Sequence, residues 1–288
     1  MKKVFLAVVA MVGMLTSCGT QTDAVQSEVH GDYTQYVNPL MGTQSSFELS
    51  TGNTYPAIAM PWGMNFWTPR TNKIGDGWQY TYTANKIYGF EQTHQPSPWI
   101  NDYGQFSLMP VTGEVEMDER KRASWFSHKG EVALPHYYKV YLAEYDVVTE
   151  MAPTERASMF RFTFPDADSY VVVDAYDRGS SIKVIPEENK IIGYTTRNSG
   201  GAPENFKNYF VVVFDKPFTY KATFSNDVKP AKPDATVPVT LKENQLEQTN
   251  FHTGAVVGFK TQKGEKVHAR VASSFISPEQ AELNLKEL

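Results

Sequence analysis

Cysteine is almost missing from this 288-residue chain. Cys18 is the only one, so no disulfide can form within it and no Cys-based metal cluster is available. Lys and Arg form no long runs and the formal net charge is −5, which leaves no electrostatic footprint for DNA or RNA. Apolar runs are short. The longest, residues 4–15, is too short to cross a bilayer as a helix. Between residues 33 and 276 no segment sustains a 3.6-residue period, which excludes a helical bundle. The chain also lacks an acidic DxDxDG calcium loop, a His/Cys zinc cluster, a Gly-Lys phosphate loop and a G-x-S-x-G nucleophile elbow.

The N-terminus reads as an address. Lys2 and Lys3 precede the apolar run, which ends in Leu15-Thr16-Ser17-Cys18-Gly19, a sequence similar to the lipobox of exported lipoproteins. Residues 1–17 are then a signal peptide, and Cys18 becomes the acylated first residue of the mature chain. Several acyl chains at about 0.8 kcal/mol per buried methylene give lasting attachment to the cell envelope. Residues 18–32 are small and polar, as a tether is. Loss of Lys2 and Lys3 moves the formal charge from −5 to −7, still only mildly acidic.

Residues 33–276 carry the signals of one large all-β domain. β-Branched and aromatic residues concentrate in residues 137–149, 159–164, 170–175, 209–214, 218–224 and 237–241, separated by turn clusters. Two hairpins are expected, residues 182–185 with 190–196 and residues 255–261 with 266–275. Strands at this spacing with no helices between them predict antiparallel sheets packed face to face. At the end, Ser277-Pro278-Glu279-Gln280 reads as a helix start, with Ser as N-cap, Pro at the first helical position and Gln completing a capping box. Ala281, Leu285 and Leu288 form its apolar stripe, for which the sequence offers no partner. Residues 277–288 therefore read as the start of a linker to a further domain.

Aromatic residues make up 13% of the chain, and many lie in Gly-, Asn- and Pro-rich stretches rather than in periodic strands. Two such stretches stand out as loops that could present ring faces to a sugar. Residues 36–67 include Asn53, Trp62 and Trp67 among several glycines and prolines. Residues 88–110 bring Glu91, His94, Trp99, Asn101 and Asp102 together, fixed by Pro96, Pro98 and Gly104. A ring face beside hydrogen-bonding groups is what holds a hydroxyl-rich ring. Trp99 is expected to stack on the sugar, with Asp102 and His94 on its hydroxyls and Trp62 and Asn53 nearby. Trp67, Trp78 and Trp125 are assigned to packing. Glu48, Asp76, Glu91 and Asp102 have no motif that marks a catalytic carboxylate pair, and no acid is visibly paired with His94, His128 or His136.

The motifs Tyr36-Val37-Asn38-Pro39-Leu40-Met41-Gly42-Thr43, Gly52-Asn53-Thr54-Tyr55-Pro56, Pro61-Trp62-Gly63-Met64, Gly89-Phe90-Glu91-Gln92-Thr93-His94, Asp102-Tyr103-Gly104 and Leu108-Met109-Pro110 occur in order. With Asn208-Tyr209-Phe210 and the stretch from Ser273 to Ala281, they make residues 33–288 resemble the N-terminal domain of glycoside hydrolase family 92. Most members read close to THxSGxG after the Gly-Phe motif, whereas this chain has Thr93-His94-Gln95-Pro96-Ser97-Pro98-Trp99. The resemblance implies a galactose-mutarotase-like β-supersandwich that joins an (α/α)6 barrel. It implies a calcium-dependent, inverting, exo-acting α-mannosidase acting on mannose-containing glycans. Its catalytic carboxylates and most of its calcium ligands would lie in the barrel, so this chain alone would be inactive. Two other readings compete: a stand-alone carbohydrate-binding lipoprotein, and a sugar epimerase with a His and a Glu converging in a groove of the sandwich.

Overall fold

A computed structural model describes residues 32–44, 54–72, 79–94, 102–230, 237–243 and 245–288. Cys18, Glu48, Gly52, Asn53, Asp76, Trp78, Trp99 and Asn101 lie outside these residues. Thr34–Leu288 forms one compact unit. It is built on two antiparallel sheets. The first runs in the order β1 (Phe66–Arg70), β3 (Gly89–Thr93), β4 (Ser107–Thr112), β10 (Ala167–Asp174), β17 (His252–Thr261), β14 (Tyr220–Asn226) and β15 (Thr240–Lys242). The second runs β16 (Glu247–Asn250), β11 (Ser180–Ile185), β12 (Lys190–Thr195), β13 (Asn208–Phe214) and β18 (Glu265–Ser274), then β9 (Ala157–Phe164), β8 (Val147–Pro153), β7 (Tyr137–Leu142) and β6 (Val132–Leu134). A small ribbon pairs β2 (Lys86–Ile87) with β5 (Ser124–Trp125).

The expected β-sandwich is therefore present, and the period-two pattern explains it. In β9, Phe160, Phe162 and Phe164 fall on one face and are buried, while Arg161 and Thr163 face outward. In β18, Val267, Ala269 and Val271 do the same. Rings from the two sheets meet in the middle. Trp67 of β1 packs edge-on against Phe160 at 4.9 Å, Phe106 stacks on Phe210 at 4.4 Å, and Phe259 of β17 meets Phe214 at 5.5 Å. Such aromatic contacts add to the burial of the rings themselves.

Several expectations change. The residue run 137–149 is two strands, β7 and β8, because the chain turns at residues 143–146, where Asp146 takes a left-handed φ of 52°. The hairpin of β11 and β12 forms as expected, with Ile185 opposite Lys190. The second expected hairpin does not. β17 pairs with β10 and β14, whereas β18 pairs with β13 and β9, so Gln262-Lys263-Gly264 carries the chain from one sheet to the other. Of residues 237–241, only Thr240 and Leu241 enter a strand. Trp125 is 47% exposed, with the Lys86 ammonium 4.7 Å from its ring centre, and is not a packing residue, while Trp67 is.

Helix α1 (Pro278–Asn284) begins where expected. The Ser277 hydroxyl accepts from Gln280 N at 3.2 Å. The Gln280 side chain donates to Asn284 Oδ1 instead of returning to Ser277, so only half of the capping box forms. Its apolar stripe does have a partner. Ala281 and Leu285 pack on Ala157, Val211 and Ala272, on the outer face of the nine-stranded sheet. Among the described residues no helix is long and apolar enough to cross a membrane.

Phe160 touches both layers, so Phe160→Ala should destabilise the domain by about 3–5 kcal/mol through lost burial and a residual cavity. Urea unfolding checks this, and a loss near zero would mean that the two layers do not share this core.

Candidate functional site

The ends of β3, β4, β12, β13 and β18 meet where the sequence placed its densest cluster. After β3 the chain reaches His94, and it returns as Asp102, Tyr103 and Gly104 before β4. Asp102 is buried, and its carboxylate fastens this return: Oδ2 accepts His94 N at 2.9 Å and Oδ1 accepts Tyr103 N at 2.8 Å. Gly104 donates its N–H to the Arg197 carbonyl at 2.8 Å, and its own carbonyl accepts from Asn208 Nδ2 at 2.7 Å. Its φ of 67° favours glycine, and a Cβ there would come within 2.9 Å of Asn208 and 3.1 Å of Phe275. Asn208 also donates to Gln92, which in turn donates to Ser273 Oγ of β18.

His94 sits in an aromatic corner. Its ring stacks on Tyr103 at 5.1 Å and lies 5.0 Å from Phe275, and Phe206 closes on both of those rings. Nδ1 lies 2.7 Å from the Tyr103 carbonyl, a pure acceptor, so Nδ1 carries the proton. Nε2 is buried and has no hydrogen-bond partner among the described residues. Leaving a buried acceptor bare costs about 1–3 kcal/mol, which a donor from a ligand would recover.

Behind this corner lies a buried ionic cluster that sequence reading missed. Arg70, at the end of β1, is fully buried. Its Nε lies 3.2 Å from Glu91 Oε2, off the hydrogen-bond axis, its Nη1 lies 2.9 Å from Glu119, and its guanidinium faces the Tyr176 ring at 5.2 Å. Glu91 Oε1 accepts from Gln105 Nε2 at 2.8 Å, which ties the cluster to the segment between Gly104 and β4. Burial pushes the Glu91 carboxyl up to about 7, with the Asp102 charge adding to it, against the pull of Arg70, Gln105 and Arg197. Arg197 pairs with Asp177. Next to the cluster, Asp174 accepts from Arg122 at 2.6 Å and faces His252 Nε2 at 2.7 Å. Burial works against it, yet His252 and Arg122 together hold the Asp174 carboxyl well below the usual carboxylate range.

Trp62 is 99% exposed on a turn. His128, unpaired in the sequence reading, meets Glu131 at 2.5 Å, but its Nε2 faces the Tyr82 carbonyl and Glu131 also accepts from Tyr80 and Tyr138. That His–Glu pair is closed on itself and offers no epimerase groove. Among the described residues the buried carboxylates Glu91, Asp102, Glu150 and Asp174 and the half-buried Glu119 and Glu131 all have partners, and no three His, Cys, Asp or Glu side chains converge as a metal site would require.

Comparison with known proteins gives the family and the fold. The family profile described as the glycosyl hydrolase family 92 N-terminal domain matches residues 36–274. A family 92 inverting mannosidase from Bacteroides thetaiotaomicron superposes with a TM-score of 0.81 at 47% identity, over 88% of this chain and 33% of that one. A second family 92 α-mannosidase from that organism gives a TM-score of 0.75 at 31% identity over 88% and 34%, and has also been solved with mannoimidazole. An uncharacterized secreted glycosidase of Arthroderma benhamiae is 23% identical over 158 residues, 52% of this chain and 20% of that protein. The chain thus spans about a third of the length of these solved relatives.

The raised Glu91 carboxyl has a stability signature. Between about pH 4.5 and about 7 the folded state keeps a proton that the unfolded state releases, so stability should fall as pH rises through that window. The fall is expected to be about 3 kcal/mol, and Glu91→Gln should flatten it. Urea unfolding across this range measures the slope, and an equal slope in the variant would place the titration elsewhere.

Proposed function

Because the chain belongs to glycoside hydrolase family 92 through that family's N-terminal domain, we propose that it forms one wall of the mannoside pocket of a longer exo-acting, inverting α-mannosidase. The observation that carries this reading is the His94 corner. With Nδ1 held on the Tyr103 carbonyl, the imidazole leaves Nε2 without a partner among the described residues, between the rings of Tyr103 and Phe275. A sugar hydroxyl is the donor that such an acceptor lacks, and ring faces suit the apolar side of a pyranose. Asp102 supports the same wall from behind, through the two backbone amides it accepts, rather than by touching the sugar. Trp99 remains the ring we place directly on the substrate, with Asn53 beside it.

The acid and base belong elsewhere in the longer protein. Inversion needs two carboxyl groups roughly 6.5–9.5 Å apart across a pocket, one to protonate the leaving oxygen and one to activate water. The buried carboxylates of the described residues are already engaged by arginines, tyrosines, histidines or backbone amides, so none of them is open to that work. Among the described residues no three His, Cys, Asp or Glu side chains gather, and the calcium ion implied by the family resemblance would be held by the remaining part of the protein. Residues 1–17 would direct export, and acylation at Cys18 would fix the enzyme to the cell envelope.

In the longer protein, His94→Ala and Trp99→Ala should each lower kcat/KM on an α-mannoside by a factor of tens or more, with the circular dichroism spectrum unchanged. The 288-residue chain alone should show no turnover. Full rates in both variants, or turnover by the isolated chain, would place the sugar and its chemistry elsewhere.

A further inference from the structure

Trp62 stands in open water on a turn that disfavours it. Met60, Pro61, Trp62 and Gly63 form a β-turn closed by Gly63 N to the Met60 carbonyl at 3.0 Å. Proline occupies the second position, and Trp62 occupies the third with φ of 63°. That position of a type II turn calls for Gly or Asn, and a left-handed residue with a Cβ costs roughly 1–2 kcal/mol. Nothing within the described chain repays that cost, because the Trp62 ring is 99% exposed. The turn is nevertheless held firmly. Ala59 N donates to the Pro135 carbonyl at 2.8 Å, and Met64 N donates to the Glu155 carbonyl at 2.7 Å. A rigid, strained turn that offers a bare indole is a presentation device.

Its surroundings say what it presents to. Met60 and Met64, on either side of the turn, are 41% and 63% exposed, and Ile276 is 77% exposed. Between Met64, Phe275 and Ile276 lies a cavity of about 140 Å³, close to the roughly 150 Å³ that accommodates a benzene-sized group. Its polar lining is already occupied. Asn65 serves Trp67 Nε1 and the Thr154 carbonyl, Arg156 serves Glu287, Gln280 serves Asn284, and Asn284 serves the Ser273 carbonyl. A sugar would find few free partners there, whereas an apolar side chain needs none. The solved relatives are about three times as long as the part this chain covers, so in them a domain of this kind is joined to further polypeptide.

We propose that the Trp62 turn and the cavity beside Met64, Phe275 and Ile276 seat the remainder of the longer protein. Trp62 inserts into that partner, and an apolar side chain of the partner fills the cavity. Central aromatic anchors of this type carry most of an interface's energy. The inference rests on the longer enzyme proposed above, and it moves Trp62 from the sugar to the domain contact.

The test is thiol labelling at the site. Trp62→Cys and, separately, Ile276→Cys are made in the 288-residue chain and in the longer protein, and maleimide incorporation at each position is followed by peptide mass mapping. Both positions should react at the rate of an exposed thiol in the shorter chain and tens of times more slowly in the longer protein. Equal rates in the two proteins would overturn the proposal. So would slowing in the shorter chain at higher protein concentration, which would make the occupant a second copy, or slowing on addition of mannose, which would make it a sugar. A gene with no codons after Leu288 removes both this proposal and the longer enzyme. An active longer mannosidase with unslowed labelling removes this one alone.

Discussion

Arg70 is a charge with no access to water, and the site end of the sandwich is arranged around it. Its guanidinium faces Glu91, Glu119 and the ring of Tyr176, and Nη1 also donates to the Asn72 carbonyl at 2.6 Å. These partners come from β3, from the segment after β4 and from the exit of β10. Removing one member of a buried ion pair typically costs 3–5 kcal/mol, because the other charge is left without compensation. The cluster therefore fixes those segments relative to one another. Through Glu91 and Gln105 it also fixes the return that carries Asp102, Tyr103 and Gly104.

The division of labour at that end is physical. Asp102 and Gln92 spend their hydrogen bonds on backbone amides, Asn208 and Ser273, and Asn208 gives its amide donors to Gln92 and Gly104 while its Oδ1 has no partner among the described residues. His94 spends one nitrogen on position and keeps the other bare. Tyr103, Phe206 and Phe275 supply the ring faces. A wall with few open polar groups and several aromatic surfaces suits the orienting of a hydroxylated ring, the part of the work proposed for it above. This agrees with the chain's match to the N-terminal portion of a longer glycosidase.

Much of the fold was legible because it depends on local pattern. The alternation Phe160, Phe162, Phe164 marks β9, and Pro186-Glu187-Glu188-Asn189 marks the one expected hairpin that forms, with Asn189 left-handed at its end. The turn at Gln262-Lys263-Gly264 reads the same way locally, yet it joins different sheets. Whether two consecutive strands pair or face each other is decided by distant neighbours, here β10 and β14 on one side and β13 and β9 on the other. The candidate site was legible in part. The stretch holding His94 and Asp102 could be found by its density, but Asp102 looked like a sugar ligand because nothing local tells a free carboxylate from one that caps backbone amides. Arg70 and Arg122 left no signal, and Glu91 stood out only as one loop carboxylate among several, since the partners that bury such charges lie far along the chain.

The strand order has a consequence for how the molecule is made. β17 and β18 come last among the strands, yet each lies inside its sheet, β17 between β10 and β14 and β18 between β13 and β9. A nascent chain that stops short of His252 therefore holds each of the two sheets as two separate parts with open edges. Neither layer can close until almost the whole domain has been synthesised. Folding is then a late, all-or-none event set by long loop closures, of the slow kind expected where contacts are distant in sequence.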